Sequence, residues 1–218
     1  MITYFLLIIS RESFAQGSFY SWKLPLLIPY LENQSFGYCD SSFKIKIRPQ
    51  FREADLFLED CDIRDSKNPK AKIASTNNYA SVVNNKGKHR INFKGEIKYT
   101  YRDKDRNVCD VATSNTNFEL IYFNNKYGIK NTNGDTIIDP IYDAIFSVSE
   151  YGLQEPFIVK IKNKYGLISA DKKLLISLIY DEIYPSGEYY WAQLPLSKVL
   201  LNGQVFMVDW YGREYLKK

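Results

Sequence analysis

Few side chains of this sequence have the type and spacing that catalysis requires. Its single histidine, His89, lies in the basic stretch KGKHR, and a Ser-His-Asp or Cys-His arrangement would need it as the base. We expect His89 to be an exposed strand or turn residue instead. A glycoside hydrolase would need two carboxylates about 5–9 Å apart, and the sequence singles out no such pair. It therefore predicts no catalytic residue and a protein that is not an enzyme.

The three cysteines do not form a metal-binding pattern. Cys39, Cys61 and Cys109 contain no Cys-x-x-Cys pair, and one histidine is too few to complete a zinc site with them. In an exported protein, one disulfide and one free thiol could form, with Cys39 and Cys61 closing the shorter loop. Three buried, reduced thiols are the alternative, and the sequence leaves the choice open.

The stretch YRDKDRNVCD has part of the pattern of a calcium-binding loop. Asp103, Asp105 and Asn107 have the spacing of its ligands, but Val108 stands where the loop requires glycine and Ser114 where it requires glutamate. The acidic run EDCDIRD, residues 59–65, allows at most a weak divalent site by composition. No glycine-rich phosphate loop is present in the sequence. We therefore expect no metal and no cofactor.

The stretch YPSGEYYWAQLPLSK, residues 184–198, is the best candidate for a binding surface. Tyr189, Tyr190 and Trp191 follow a Ser-Gly turn, and successive residues of a strand point to opposite faces. At least one of these rings should then be exposed, where aromatic side chains mark protein or glycan contacts. A strand buried on both faces is the alternative. We take these three residues as the candidate partner-binding site.

An internal repeat supplies the elements that position such side chains. Lys126-Tyr127-Gly128 recurs as Lys164-Tyr165-Gly166, and Ile141-Tyr142-Asp143 recurs as Ile179-Tyr180-Asp181, each 38 residues later. Two landmarks that return at one interval indicate a repeated structural unit.

Each copy of the repeat predicts a short series of strands. An aromatic-Gly pair opens the first strand, and its glycine permits a bulge or the close approach of a ring. A polar turn such as Asn133-Gly134 leads to a second strand of branched residues. Pro140 is expected at the edge or the terminus of that strand. IYDAI, residues 141–145, is expected to begin a third strand.

The same template extends along most of the chain. We align Gly37, His89, Gly128, Gly166 and Phe206, whose intervals are 52, 39, 38 and 40 residues. Repeats are thus placed near residues 25–57, 79–105, 117–146 and 155–184, with a half-repeat at 197–216. The longer first interval contains a charged insertion, residues 58–78.

These copies resemble the repeats of the WG-repeat family. The resemblance rests on the KYGxI strands and on the elements PQF, residues 49–51, and IYD. Tyr127, Tyr165 and Phe36 stand where the family usually has tryptophan. The resemblance implies a bacterial β-repeat protein, often exported and without an assigned chemistry.

The repeat predicts an all-β fold in one domain, residues 16–218. An isolated hairpin is marginally stable and must bury its apolar face against a neighbour, so tandem hairpin and meander repeats of about 38–40 residues should form one elongated twisted array. Repeated aromatics such as Tyr165 and Tyr180 should then be core residues. A closed propeller is the alternative, but its blades have four strands and we count about three per repeat.

The N-terminus and the overall charge bear on location. Residues 1–15 contain the apolar run ITYFLLII and end in SFA before Gln16, which resembles a secretory signal peptide. We expect export to the periplasm, cell envelope or exterior, with a cytoplasmic location as the alternative. Eight apolar residues are too few to span a bilayer, so contact with a membrane should be peripheral at most. The 29 basic and 25 acidic residues are interspersed, and nucleic acid is not an expected partner.

The sequence thus favours a non-enzymatic, exported β-repeat module that binds a protein or an envelope glycan. An accessory or structural subunit of a bacterial envelope assembly is the alternative, and a carboxylate-dependent glycan hydrolase is a second one. The sequence does not indicate the oligomeric state.

Overall fold

The computed structural model describes residues 23–57, 62–64, 79–103, 106–108, 117–148, 153, 155–184 and 194–217. Every regular element in these ranges is a β-strand, which confirms the predicted all-β class. No helix of a length and hydropathy suited to crossing a membrane occurs in the described ranges. The first nine strands are β1 (Ile28–Glu32), β2 (Ser35–Cys39), β3 (Ile45–Phe51), β4 (Glu53–Ala54), β5 (Asp62–Arg64), β6 (Tyr79–Asn84), β7 (Gly87–Asn92), β8 (Ile97–Thr100) and β9 (Arg106–Val108). The other ten are β10 (Phe118–Phe123), β11 (Lys126–Asn131), β12 (Thr136–Tyr142), β13 (Ala144–Ser147), β14 (Phe157–Ile161), β15 (Lys164–Ile168), β16 (Leu174–Tyr180), β17 (Glu182–Tyr184), β18 (Leu196–Leu201) and β19 (Gln204–Asp209).

The strands form antiparallel meanders that follow the sequence repeat. The first to fourth repeats are β1-β2-β3, β6-β7-β8, β10-β11-β12 and β14-β15-β16, and the half-repeat is the hairpin β18-β19. Three short strands, β4, β13 and β17, each pair with the first strand of the repeat that follows them. The strand β5, which lies in the insertion, pairs with β9, which follows the second repeat.

The motif IYDAI joins two sheets instead of beginning a third strand. Ile141 and Tyr142 end β12, whereas Ala144 and Ile145 begin β13, which pairs with β14 of the next repeat. The prediction was wrong because the chain turns a corner at Asp143. The third and fourth repeats are therefore linked by strand pairing as well as by side-chain packing.

The first turn of each hairpin contains only two residues. Asn124 and Asn125 connect β10 to β11 with φ of 48° and 60°, the left-handed values of a type I′ turn. Such a turn matches the right-handed twist of the strands and fixes their register. Ile121 consequently faces Gly128 across the hairpin, and Val159 faces Gly166 in the same way one repeat later.

The second turn of the repeat is held by a side chain that accepts two backbone N–H groups. Asn131 Oδ1 accepts from the N–H of Asn133 at 3.0 Å and of Asp135 at 2.9 Å. Gly134, at φ 90°, donates its N–H to the Asn131 carbonyl, which confirms the predicted turn at Asn133-Gly134. The side chains that accept the same pair of N–H groups in other repeats are Asp40, Asn92 and Asp209.

The glycine of the aromatic-Gly pair is required by a bulge in the following strand. The register of β11 and β12 shifts around Gly128 because β12 contains extra residues there. A Cβ on Gly128 would lie 2.5 Å from the Ile138 carbonyl oxygen and 2.8 Å from the Pro140 nitrogen. Pro140 thus lies inside β12 and not at its terminus, which was one of the two predicted positions. Its missing N–H is tolerated because β12 is an edge strand and bulged at this point.

The second repeat has no bulge at the equivalent position, and it has a histidine instead of glycine. His89 pairs directly with Thr100, and only 3% of its surface is exposed. Its Nε2 lies 2.8 Å from Asn84 Oδ1 and its Nδ1 lies 3.0 Å from Thr100 Oγ1. The expectation of an exposed His89 was wrong, because β8 has no bulge directly opposite His89 and so leaves room for a buried ring. Desolvation lowers the pKa of His89 below its usual 6.5.

Buried side chains join the repeats in an order that differs from the chain order. One apolar cluster joins the first and second repeats, a second the third and fourth, a third the fourth and the half-repeat, and a fourth the first and the half-repeat. Representative pairs are Tyr38 with Val82, Ile129 with Phe157, Leu167 with Phe206, and Ile28 with Met207. Among the described residues no such cluster joins the second repeat to the third, and no closed barrel or propeller forms.

Two of the repeated aromatics lie in these clusters as predicted. Tyr180 is 3% exposed, and Tyr165 packs partly buried against the same cluster. The four clusters together place the repeats in space in the order second, first, half-repeat, fourth and third.

The C-terminal residues connect the half-repeat to the first repeat. The N–H of Leu31 donates to the Tyr215 carbonyl at 3.0 Å, and the N–H of Lys217 donates to the Leu31 carbonyl at 2.8 Å. Tyr215 is fully buried and its ring stacks on Phe43. The chain end thus covers the outer edge of β1. In the same way, β4, β13 and β17 each cover the first strand of the repeat that follows.

Candidate functional site

An aspartate at each of two sheet corners links successive repeats through both carboxylate oxygens. Asp143 Oδ1 lies 2.5 Å from Lys126 Nζ, and its Oδ2 accepts the N–H of Lys162 at 2.7 Å. Asp181 makes the same two kinds of contact one repeat later, at 2.6 Å and 2.8 Å. The hydrogen bond from Lys126, then that from the Lys162 N–H, lowers the pKa of Asp143. These carboxylates therefore stay ionised and serve the joint between repeats.

The corner residue also pairs its own N–H with the first strand of the next repeat. The N–H of Asp143 donates to the Lys160 carbonyl at 2.8 Å, and that of Asp181 donates to the Leu200 carbonyl at 2.9 Å. The N–H of Arg52 donates to the Val83 carbonyl at 2.7 Å, and that of Lys217 donates to the Leu31 carbonyl at 2.8 Å. These four carbonyls occupy the same position, two residues before the two-residue turn. A neighbouring strand therefore covers the outer edge of four of the five hairpins.

The third repeat differs from the other four at this position. Tyr122 is the residue that corresponds to the four acceptors, and within the described ranges neither its carbonyl nor the outer edge of β10 has a strand partner. Asn124 corresponds to Lys162, whose N–H is held by Asp143. The N–H of Asn124 contacts no carboxylate in the part of the chain that the structure describes. We call Leu120 to Asn124, with their outward backbone groups, the β10 edge.

Side chains of the β10 edge are more exposed than their counterparts in the other hairpins. Ile121 is only half-buried, whereas the counterparts Val82, Val159 and Val199 are at most 1% exposed. Leu120 and Tyr122 are 47% and 61% exposed. In the other hairpins, the covering strand and the repeat to which it belongs bury these counterparts. Among the described residues, the β10 edge is therefore an apolar strand edge that no other strand covers.

The chemistry of the β10 edge is that of a template for another strand. Glu119 is the only charged residue of β10, and Lys130 Nζ pairs with it at 2.9 Å. The Tyr122 ring lies 4.9 Å from that of Tyr127, and its hydroxyl donates to Asn125 Oδ1 at 3.0 Å. Outward N–H and C=O groups on an exposed edge pair readily with an added chain. Aromatic side chains beside them suit a protein contact.

The predicted binding residues cannot be compared with this edge directly. Tyr189, Tyr190 and Trp191 lie outside the described residues. Their assignment as a partner-binding site stays a prediction. Sequence reasoning missed the β10 edge, although FELIYF, residues 118–123, is apolar or aromatic at five of its six positions.

The structure describes only some of the cysteines and of the residues in the incomplete calcium pattern. Cys39 is fully buried, and desolvation raises its pKa to about 12, so its thiol is protonated. Cys39 is a free cysteine, so the Cys39–Cys61 disulfide considered from the sequence was wrong. Cys61 and Cys109 lie outside the described residues, and the state of these two thiols stays untested. Asn107 of the incomplete calcium pattern lies in β9 and pairs with Ile63 of β5. In the ranges described, no three His, Cys, Asp or Glu side chains gather as a metal site would require.

Comparison with protein families agrees with the repeat geometry. A family model described as the WG containing repeat matches residues 127–165 and 165–194. This part of the chain is therefore similar to the WG-repeat family. The matched residues include the bulged strand over Gly128, the corner at Asp143 and the whole fourth repeat. No curated protein matches the chain in sequence.

Proposed function

We propose that this β-repeat protein is an exported, non-enzymatic module that binds a partner protein through the β10 edge. The observation that carries the proposal is the contrast between Ile121, half-buried, and its counterparts in the other hairpins, which a neighbouring strand covers. A protein partner fits because outward backbone groups recognise the backbone of another chain.

A role without catalysis is supported by how four of the described carboxylates are used. Asp143 and Asp181 join repeats, and Asp40 and Asp209 close turns. Their hydrogen bonds hold the pKa of Asp40 and Asp143 below the usual range, which suits permanent anions rather than proton donors. Export is supported by the signal-like sequence of residues 1–15.

Site-specific photo-crosslinking tests the proposal. A benzophenone amino acid at Phe123, 62% exposed, should crosslink a partner polypeptide in cells that make the protein. The same amino acid at Tyr211, 63% exposed but outside the β10 edge, is the matched control. Crosslinks to one polypeptide from position 123 and none from position 211 are expected. No crosslink from position 123, or equal crosslinks from both, would contradict the proposal.

A further inference from the structure

The fold itself shows what kind of segment covers the first strand of a repeat. Three of the four covered hairpins receive a short antiparallel strand: β13 on β14, β17 on β18 and β4 on β6. In two of these, an aspartate immediately precedes the covering strand. Asp143 and Asp181 each give an N–H to a strand carbonyl and take a turn N–H on the carboxylate.

An apolar residue two positions after the aspartate completes the contact. Ile145 faces Val159, and Ile183 faces Val199, each isoleucine being at most 5% exposed. The covering segment thus has the pattern Asp-x-Ile, seen as Asp143-Ala-Ile and Asp181-Glu-Ile. Its register on the strand beneath is the same in both cases.

The β10 edge presents the same groups at the same spacing. By equivalence, the Tyr122 carbonyl corresponds to that of Lys160, the Asn124 N–H to that of Lys162, and Ile121 to Val159. In a hairpin with a two-residue turn, the N–H and C=O groups of alternate residues face outward, here those of Leu120 and Tyr122. The three groups with which the covered hairpin binds Asp-x-Ile are therefore repeated here, and only the lysine of the preceding repeat has no equivalent.

We propose that the β10 edge binds an extended segment of its partner protein that contains Asp-x-apolar, added antiparallel to β10. This inference rests on the proposed function and names the chemistry of the bound segment. The aspartate N–H donates to the Tyr122 carbonyl and its carboxylate accepts the Asn124 N–H. The apolar residue covers Ile121. The second carboxylate oxygen is left for a cation of the partner, as Lys126 serves Asp143.

A peptide with the chain's own covering sequence is a suitable probe. The full chain is titrated with capped IYDAIFS, residues 141–147, carrying a fluorophore, and binding is followed by anisotropy. Saturable binding is expected. Replacing the peptide aspartate by alanine should weaken binding about tenfold, since a charge-assisted hydrogen bond is lost. N-methylation of the same aspartate should abolish binding, because it removes the N–H meant for Tyr122.

Two variants of the chain separate backbone pairing from side-chain contact. Leu120→Pro removes an outward N–H without removing a β10–β11 hydrogen bond, and it should abolish binding. Leu120→Ala keeps that N–H and should weaken binding only a few-fold. The two modified peptides serve the same purpose if Leu120→Pro does not fold.

Three results would overturn the inference. The first is no binding of IYDAIFS at millimolar concentration, and the second is equal binding of the unmodified, alanine and N-methyl peptides. The third is a dimer of the chain that Leu120→Pro dissociates, because a second copy would then be the occupant. If position 123 still crosslinks a partner while the peptide fails to bind, the proposed function stands and only the Asp-x-apolar inference fails.

Discussion

Substituting Gly128 by alanine should destabilise the protein through a clash with the bulged strand β12. The added Cβ would lie 2.5 Å from the Ile138 carbonyl oxygen, 2.8 Å from the Pro140 nitrogen and 2.9 Å from the Asp139 carbonyl carbon. All three are backbone atoms, and ordinary contact begins near 3.4 Å, so the bulge itself must shift. Forced backbone shifts of this kind typically cost about 1–3 kcal/mol.

A smaller, opposite effect comes from the unfolded chain. Alanine restricts the unfolded backbone and so stabilises by about 0.4–1 kcal/mol. We therefore expect a net loss of about 1–2 kcal/mol in the free energy of unfolding. For a chain of this size that corresponds to a fall of about 2–8 °C in Tm. Urea denaturation followed by tryptophan fluorescence, with Tm by calorimetry, measures both.

The cause can be isolated because the second repeat lacks the bulge. Deleting Asp139 and Pro140 should straighten β12 in the manner of the strand opposite His89 and keep Tyr142 opposite Tyr127. In that background, alanine at position 128 should cost nothing or stabilise slightly.

Gly166→Ala provides an independent comparison. Its Cβ would meet backbone less closely, at 2.8 Å from the Ile176 carbonyl oxygen, and its next neighbour is the Leu178 side chain, which can move. Its cost should be smaller than that of Gly128→Ala. The reasoning is refuted if Gly128→Ala is as stable as the wild type, or if its cost is the same with and without the bulge.

Three further predictions concern a buried base, the chain end and the N-terminus. Burial lowers the pKa of His89, so the folded state disfavours its protonation, and the free energy of unfolding should fall as pH drops below about 6.5. Urea denaturation across pH 5–8 should show a smaller fall in His89→Gln. Tyr215→Ala should cost about 3–5 kcal/mol by the same assay, because a fully buried ring is lost, whereas the exposed Tyr211→Ala should change stability by less than about 0.5 kcal/mol. Mass spectrometry of the protein recovered from its native host should find a mature N-terminus at Gln16; an intact residue 1 would contradict export by this signal.

The sequence alone predicted the repeat and the role of its landmarks to a useful extent. The positions of Gly128 and Gly166 and the turn at Asn133-Gly134 followed from spacing and turn chemistry. The turn residues Asp40, Asn92, Asn131 and Asp209 were missed, although they stand three positions after the aligned residues in their repeats. Aligning polar as well as aromatic positions would have found them.

Other features could not be derived from local sequence. His89 was expected at the surface because its burial depends on a missing bulge in β8, a property of the strand pairing and not of KGKHR. The β10 edge escaped prediction because a hairpin's outer edge is covered by residues from outside the hairpin, which for Leu31 are as distant as Lys217. Such pairings set which strand stays exposed, and they depend on the whole fold.

Amide hydrogen exchange of the free chain tests most directly whether the β10 edge is uncovered. The outward N–H groups of Leu120 and Tyr122 should exchange quickly, whereas their counterparts Ile158 and Lys160, beneath β13, should exchange slowly. Addition of IYDAIFS should slow the exchange of Leu120, Tyr122 and Asn124 alone. Equal, strong protection of both pairs in the free chain would mean that β10 is already covered, and would contradict the account.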